Sequence, residues 1–146
     1  FGNRMKEQGS PAMIYNTGSE NSFFCASTGA AYIASKHAVL GLTEMFRQQV
    51  PNYITVGLII PGWVASELNP QFNEHVMPAD DFAAIIYPQI KAGERFVVSH
   101  AYNVVRIDER MDALRAAYAK YAPRYEGDEE YDVKVLVGRL KDRGLI

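Results

Sequence analysis

Cysteine is nearly missing from this chain: Cys25 stands alone among 146 residues. No internal disulfide can form, and a reducing, cytoplasmic setting is the natural expectation. Any redox chemistry is then not thiol chemistry. An excess of charge of one sign is missing as well. The formal net charge of −2 leaves no electrostatic footprint for a nucleic-acid backbone or an anionic membrane surface, so neither is expected as a partner. Long apolar runs are absent too. The most extended one, around Val56 to Pro61, is far short of the roughly 20 residues of a membrane-spanning helix. Nor do the first residues show the charged start, apolar middle and small-residue cleavage site of a signal peptide. His37, His75 and His100 have no metal-ligand spacing among themselves or with Cys25, and no metal is expected. What remains is ordinary material for one soluble globular domain, 48% hydrophobic and 22% charged, enough to bury a real core.

Phe1 is not a start methionine. Phe1 to Gln8 reads as the last turns of a helix, with Arg4 and Lys6 near its C-terminal end and Gly9 as its cap. The expectation is that a longer chain preceded Phe1. After the Gly9-Ser10-Pro11 break, Ala12 to Asn16 suits a short buried strand, which empties into a polar turn from Thr17 to Asn21. From Ala30 to Gln49 the apolar positions Ile33, Ala34, Val39, Leu40, Leu42, Met45 and Phe46 recur at helical spacing, and Pro51 closes the segment. Tyr53 to Ile60 is β-branched and apolar and stops at Pro61-Gly62, which reads as a second buried strand. Strand, helix and strand in this order imply a right-handed crossover and a parallel sheet.

Further along, Pro78-Ala79-Asp80-Asp81 opens a helix to about Ala92, and Gly93 precedes a third strand from Arg95 to Ser99. Arg106 to Tyr121 is amphipathic and ends before Pro123; a last helix runs from Tyr131 to Lys141. Residues 1–100 are therefore expected to form a Rossmann-like part and residues 101–146 a helical extension that packs on the body or on a partner chain.

Ligands of open α/β sheets bind outside the carboxyl ends of the strands, so the turns after the first two strands are where chemistry belongs. The first turn carries Ser19, the helix behind it carries Tyr32 and Lys36, and the second turn begins Pro61-Gly62-Trp63-Val64. Residues four apart share a helix face, so Tyr32 and Lys36 point the same way. A free tyrosine hydroxyl, with a pKa of about 10, is a poor proton carrier at neutral pH. A nearby ammonium favours the phenolate, and Lys36 can supply that charge. Ser19 can then hold a substrate oxygen against the Tyr32 hydroxyl.

Tyr32-Ile33-Ala34-Ser35-Lys36, a serine thirteen residues upstream and a Pro-Gly beginning 29 residues downstream together resemble the short-chain dehydrogenase/reductase family. Ile14 to Ser19 is similar to that family's strand into the catalytic serine, and Ala38 to Leu42 to the continuation of its active-site helix. The resemblance covers about residues 1–68 and implies the C-terminal, catalytic half of an NAD- or NADP-dependent oxidoreductase interconverting an alcohol and a carbonyl compound. By position, Ser19 would orient the substrate oxygen and Tyr32 would act as general acid or base. Lys36 would lower the tyrosine pKa and bond the nicotinamide ribose. Pro61, Gly62, Trp63 and Val64 would border the nicotinamide, with Val64 bonding its carboxamide. Ser66 stands where many members have threonine, keeping the hydroxyl without the methyl. The helix bearing Tyr32 would pack on its twin in a homo-oligomer, covering Ala38, Leu42 and Phe46 if they face outward.

The Tyr-Lys spacing alone is weak, and Tyr87 with Lys91 repeats it. That second copy has Glu74 where the serine should be and Pro88 inside it, which is expected to disturb the helix. It reads as structural. Ser22 lies too close to Tyr32 for the family serine. A serine hydrolase would need a Gly-x-Ser-x-Gly elbow, but Glu20 and Asn21 follow Ser19. Trp63 and Phe72 flank the turn that often closes over substrate, or simply form a local apolar cluster. No Gly-rich phosphate turn occurs in the chain, so NAD and NADP are not distinguished and the N-terminal βαβ half of the fold is expected to be missing. The alternative reading is a non-catalytic Rossmann-like module that only dimerises or binds a partner chain.

Overall fold

The computed structural model describes residues 2–68 and 70–146. It divides into two compact units, one ending at Ile107 and one of Asp108–Ile146. The first unit begins with α1 (Gly2–Gln8), β1 (Ala12–Thr17), α2 (Ala30–Gln49) and β2 (Ile54–Ile60); α3 (Ala79–Ala92), β3 (Phe96–Val98) and the start of α4 (Val104–Tyr121) follow. Phe1, the expected first residue of α1, lies outside the described residues. Short 3-10 helices at Glu20–Ser22, Pro70–His75 and Ala101–Asn103 fill the connections.

The sheet is parallel in both pairings, with order β1-β2-β3. β2 is the middle strand: Gly57 is buried on one of its faces, and on the other Ile54, Val56, Leu58 and Ile60 are all buried, Leu58 with no exposed surface. With Val97 and Ile33 they make the apolar core. α2 crosses one face of the sheet. Asn16 donates to Thr43 Oγ1 at 2.9 Å, and that fully buried hydroxyl donates in turn to Val39 O at 2.7 Å, so strand and helix share a satisfied polar link.

Gly57 permits a second close contact. A Cβ there would stand 2.7 Å from Tyr15 Cδ1 and 2.9 Å from Glu94 O. The Tyr15 ring lies directly across the strand and donates its hydroxyl to Glu94 O at 2.9 Å. The outer edge of β3 is blocked by a side chain: the Gln89 amide accepts from Val98 N at 3.0 Å and donates to Val98 O at 2.8 Å, imitating a neighbouring strand. α3 reaches Ala92 as its sequence suggests and runs through Pro88; Gly93 closes it by donating to Ile90 O, with Glu94 donating to Gln89 O. Of Ala38, Leu42 and Phe46, the last does not face outward, because its ring packs on Gly2 of α1.

In the second unit, a 3-10 helix at Asp128–Tyr131 leads into α5 (Val133–Asp142), which Asp132 caps by accepting from Lys134 N at 2.7 Å. Asp128 takes Arg124 Nε at 2.5 Å and Tyr125 N at 3.1 Å, and the Arg124 bond holds its carboxyl below the usual range. Among the described residues no helix is long and apolar enough to cross a membrane.

Two outcomes follow from this packing. Gly57→Ala should destabilise the first unit by about 1–3 kcal/mol, the usual cost of overpacking, read as a lowered denaturation midpoint. Glu44 on α2 is the second lever. Partial burial pushes its carboxyl up, but hydrogen bonds and charge from Arg95, ahead of β3, and from Arg47 outweigh this and hold it below its ordinary value of 4.5. A depressed carboxylate adds stability that is complete above the unfolded-state value and disappears as pH falls through the folded-state value. Glu44→Gln should therefore flatten the acid limb of the stability curve below about pH 4.5 and leave its slope near neutrality unchanged, as urea titrations across pH will test.

Candidate functional site

Parallel pairing brings the carboxyl ends of β1 and β2 side by side. The pairing continues past the strands: Gly18 N donates to Ile59 O at 2.9 Å and Glu20 N to Pro61 O at 3.0 Å. Ser19 is thus bracketed between two bonds to the second strand and its turn. It is buried, with extended backbone, and caps the short helix Glu20–Ser22. Its Oγ accepts from Asn21 N at 3.2 Å, a bond that leaves the hydroxyl's own proton uncommitted. Ser22, fully buried, returns the cap by accepting from Ser19 N at 3.2 Å, so its role is to hold Ser19 rather than to face a ligand.

Tyr32 and Lys36 stand one turn apart on α2. Lys36 Nζ lies 5.5 Å from the centre of the Tyr32 ring and donates to Thr17 O at 3.1 Å. Because Gly18 faces β2, the Thr17 carbonyl faces the free edge of β1, where no other strand competes for it. The ammonium therefore joins the helix bearing Tyr32 to the strand end bearing Ser19. The Tyr32 ring itself is half exposed.

The second turn is built as firmly. Val64 forms a parallel bridge with Met77: Met77 N donates to Trp63 O at 3.2 Å and Ala65 N to Met77 O at 2.9 Å. In that pattern the N–H and C=O of Val64 point away from Met77. Trp63 and Phe72 do form a local pair, with ring centres 5.2 Å apart, and Trp63 remains largely exposed. Ser66 lies further along the loop, where its N–H donates to Asn73 Oδ1 at 3.0 Å.

Three residues at this end of the sheet carry no signal of their own in the sequence. Glu20 is a buried carboxylate that accepts from Asn103 Nδ2 at 2.6 Å, and His100 bonds the second turn. Nothing in their spacing marks them, since they meet only through the fold. A cavity of about 370 Å³ is lined by Glu20, His100 and Asn103 together with apolar Phe23, Ile60 and Phe96. Ser19, Tyr32 and Lys36 stand outside it. The second Tyr-Lys pair keeps the same local geometry, Lys91 Nζ lying 5.7 Å from the Tyr87 ring centre, but it sits on α3 with Glu74 in place of a serine. His37 Nδ1 lies 3.0 Å from Ile33 O within its own helix, and among the described residues no group of three or more His, Cys, Asp and Glu is placed to hold a metal.

A short chain dehydrogenase family model matches residues 2–77. The 1-deoxy-11-beta-hydroxypentalenate dehydrogenase of Streptomyces arenae is 24% identical over 121 residues, 75% of this chain and 43% of that protein. Among solved structures, the short-chain dehydrogenase from Sphingobium yanoikuyae in complex with NADPH superposes with a TM-score of 0.64 at 20% identity, over 86% of this chain and 52% of that one. A short chain dehydrogenase from Burkholderia cenocepacia in complex with NADP gives 0.65 at 19% identity, over 83% and 53%. The chain spans about half the length of these relatives. With the family model running from α1 through the Val64–Met77 bridge, over the strand ends and turns that carry this geometry, the chain belongs to the short-chain dehydrogenase family.

Proposed function

We propose that this chain is the catalytic part of an oxidoreductase that uses NAD or NADP to interconvert an alcohol and a ketone or aldehyde. The observation that carries the reading is the position of Lys36 Nζ, tied to Thr17 O at 3.1 Å and 5.5 Å from the Tyr32 ring centre, beside the strand end that bears Ser19. In the proposed reaction the Tyr32 oxygen takes a proton from an alcohol and in the reverse direction returns one to a carbonyl oxygen, with Lys36 held beside it. Ser19 spends its lone pair on Asn21 N and keeps its proton to donate to the same substrate oxygen, fixing it at the tyrosine.

The residues present suit a nicotinamide nucleoside. Val64 offers a donor and an acceptor side by side on the face away from Met77, the pair that a carboxamide needs, and Lys36 is a donor for ribose hydroxyls. Pro61, Gly62 and Trp63 border that position, and Ser66 is a further hydroxyl in the same loop. When bound, the dinucleotide supplies or accepts the hydride. NADP in the complexes of two structural neighbours supports a nicotinamide cofactor.

One observation favours association with a second copy of the chain. Ala38, Leu42 and Met45 form an exposed apolar stripe on α2, facing away from the sheet, where a twin helix can pack. A non-catalytic dimerising module would show the same stripe, so cofactor binding separates the readings.

Fluorescence titration of the chain with NADH and NADPH is expected to show saturable binding that weakens at least about tenfold in Lys36→Ala, the loss of one charge-assisted bond. Tyr32→Phe should keep that binding and lower carbonyl reduction by about 10²–10⁴. No binding of either dinucleotide would overturn the reading in favour of the module. Leu42→Glu should shift the chain toward monomer in sedimentation velocity, because it buries a charge in the proposed apolar contact.

A further inference from the structure

His100, just beyond β3, touches the Pro61–Val64 turn with both ring nitrogens. Gly62 N donates to Nδ1 at 3.2 Å, and Nε2 lies 3.2 Å from Trp63 O. An amide N–H can only donate and a carbonyl can only accept, so only one protonation state satisfies both partners. Nδ1 must be bare and Nε2 must carry the proton. Ser99 Oγ, 2.8 Å from Nδ1, then shares that nitrogen's single lone pair with Gly62 N–H.

The ring is also a steric stop. A Cβ on Gly62 would lie 2.5 Å from His100 Cγ, 2.6 Å from Cδ2 and 2.7 Å from Glu20 Oε2. Imidazole and carboxylate therefore press on the bare face of the glycine. Glu20 is itself anchored, accepting from Asn103 at one oxygen and donating its backbone N–H to Pro61 O at 3.0 Å. Three chain segments thus converge on one peptide: the serine turn, the second turn and the segment after β3.

We infer that His100, in its neutral Nε2–H form and backed by Glu20, is the positioning residue of the Pro61–Val64 turn. It acts on the reaction through Val64, whose polar groups it holds at a fixed place, and touches neither substrate nor cofactor. That catalytic meaning rests on the function proposed above. The clamp itself does not.

The test begins on the unmodified chain without ligand. Imidazole ¹⁵N shifts should identify His100 as the Nε2–H tautomer; an Nδ1–H tautomer overturns the inference. Amide exchange at Gly62 should accelerate about tenfold in His100→Ala, the size expected for one hydrogen bond, while the Leu58 amide, bonded to Arg95 O in the middle of the sheet, keeps its rate. His100→Asn, whose side-chain oxygen stands where Nδ1 stood, should recover most of the Gly62 protection. Emission of Trp63, the sole tryptophan, should shift in His100→Ala and return in His100→Asn. Unchanged Gly62 exchange in His100→Ala overturns the clamp whatever the dinucleotide does. Loss of NADH affinity in His100→Ala with recovery in His100→Asn supports its role in the site. A clamp that behaves as described in a chain that binds no dinucleotide overturns the functional reading alone.

Discussion

Burial of β2 between two parallel neighbours governs the rest of the first unit. Ile54, Val56, Leu58 and Ile60 bury one face of the strand, Gly57 is buried on the other, and both of its edges are paired, so β1 and β3 align with it. Parallel alignment in turn puts every strand's carboxyl end on the same side. The serine turn, the Pro61–Val64 turn and the segment carrying His100 are neighbours for that reason, although 81 residues separate Ser19 from His100. Gly57 and Gly62 are where this arrangement is tightest. Each lets a side chain from another strand or turn lie against bare backbone.

The two edges of the sheet are treated differently. Gln89 occupies the open N–H and C=O of Val98 on the outer side of β3, which blocks further pairing there. On β1 the corresponding carbonyl of Thr17 is taken by Lys36. The same bond that ends the free edge also aims the ammonium at Tyr32. One side chain thus serves both the unpaired edge and the helix that bears Tyr32.

Polar burial at the site end has a mechanical purpose. Ser19 and Ser22 cap each other's backbone, and Asn103 answers Glu20. These bonds constrain one another and limit the shapes the two turns can adopt, while Asn21 Oδ1, buried in the same serine turn, has no partner among the described residues. Tyr32, by contrast, is half exposed, which suits the proton exchange proposed for it.

Much of this was legible from residues alone because it depends on local physics. Helical periodicity placed α2 at Ala30–Gln49, a short apolar run placed β1 and a β-branched one β2, and the four-residue step between Tyr32 and Lys36 put both on one face. The family resemblance rested on such short-range spacings, and the family model matches the same stretch. Where local reasoning left a question open, tertiary packing decided it: of the α2 positions Ala38, Leu42 and Phe46, the Phe46 ring lies on Gly2 of α1. Glu20, His100 and Asn103 were invisible as a group because no spacing rule joins a serine turn to the far side of a sheet. The amino-acid order by itself determined which residues could do chemistry. Only the tertiary structure decided which distant groups hold them in place, since those contacts exist once parallel pairing has brought the strand ends together.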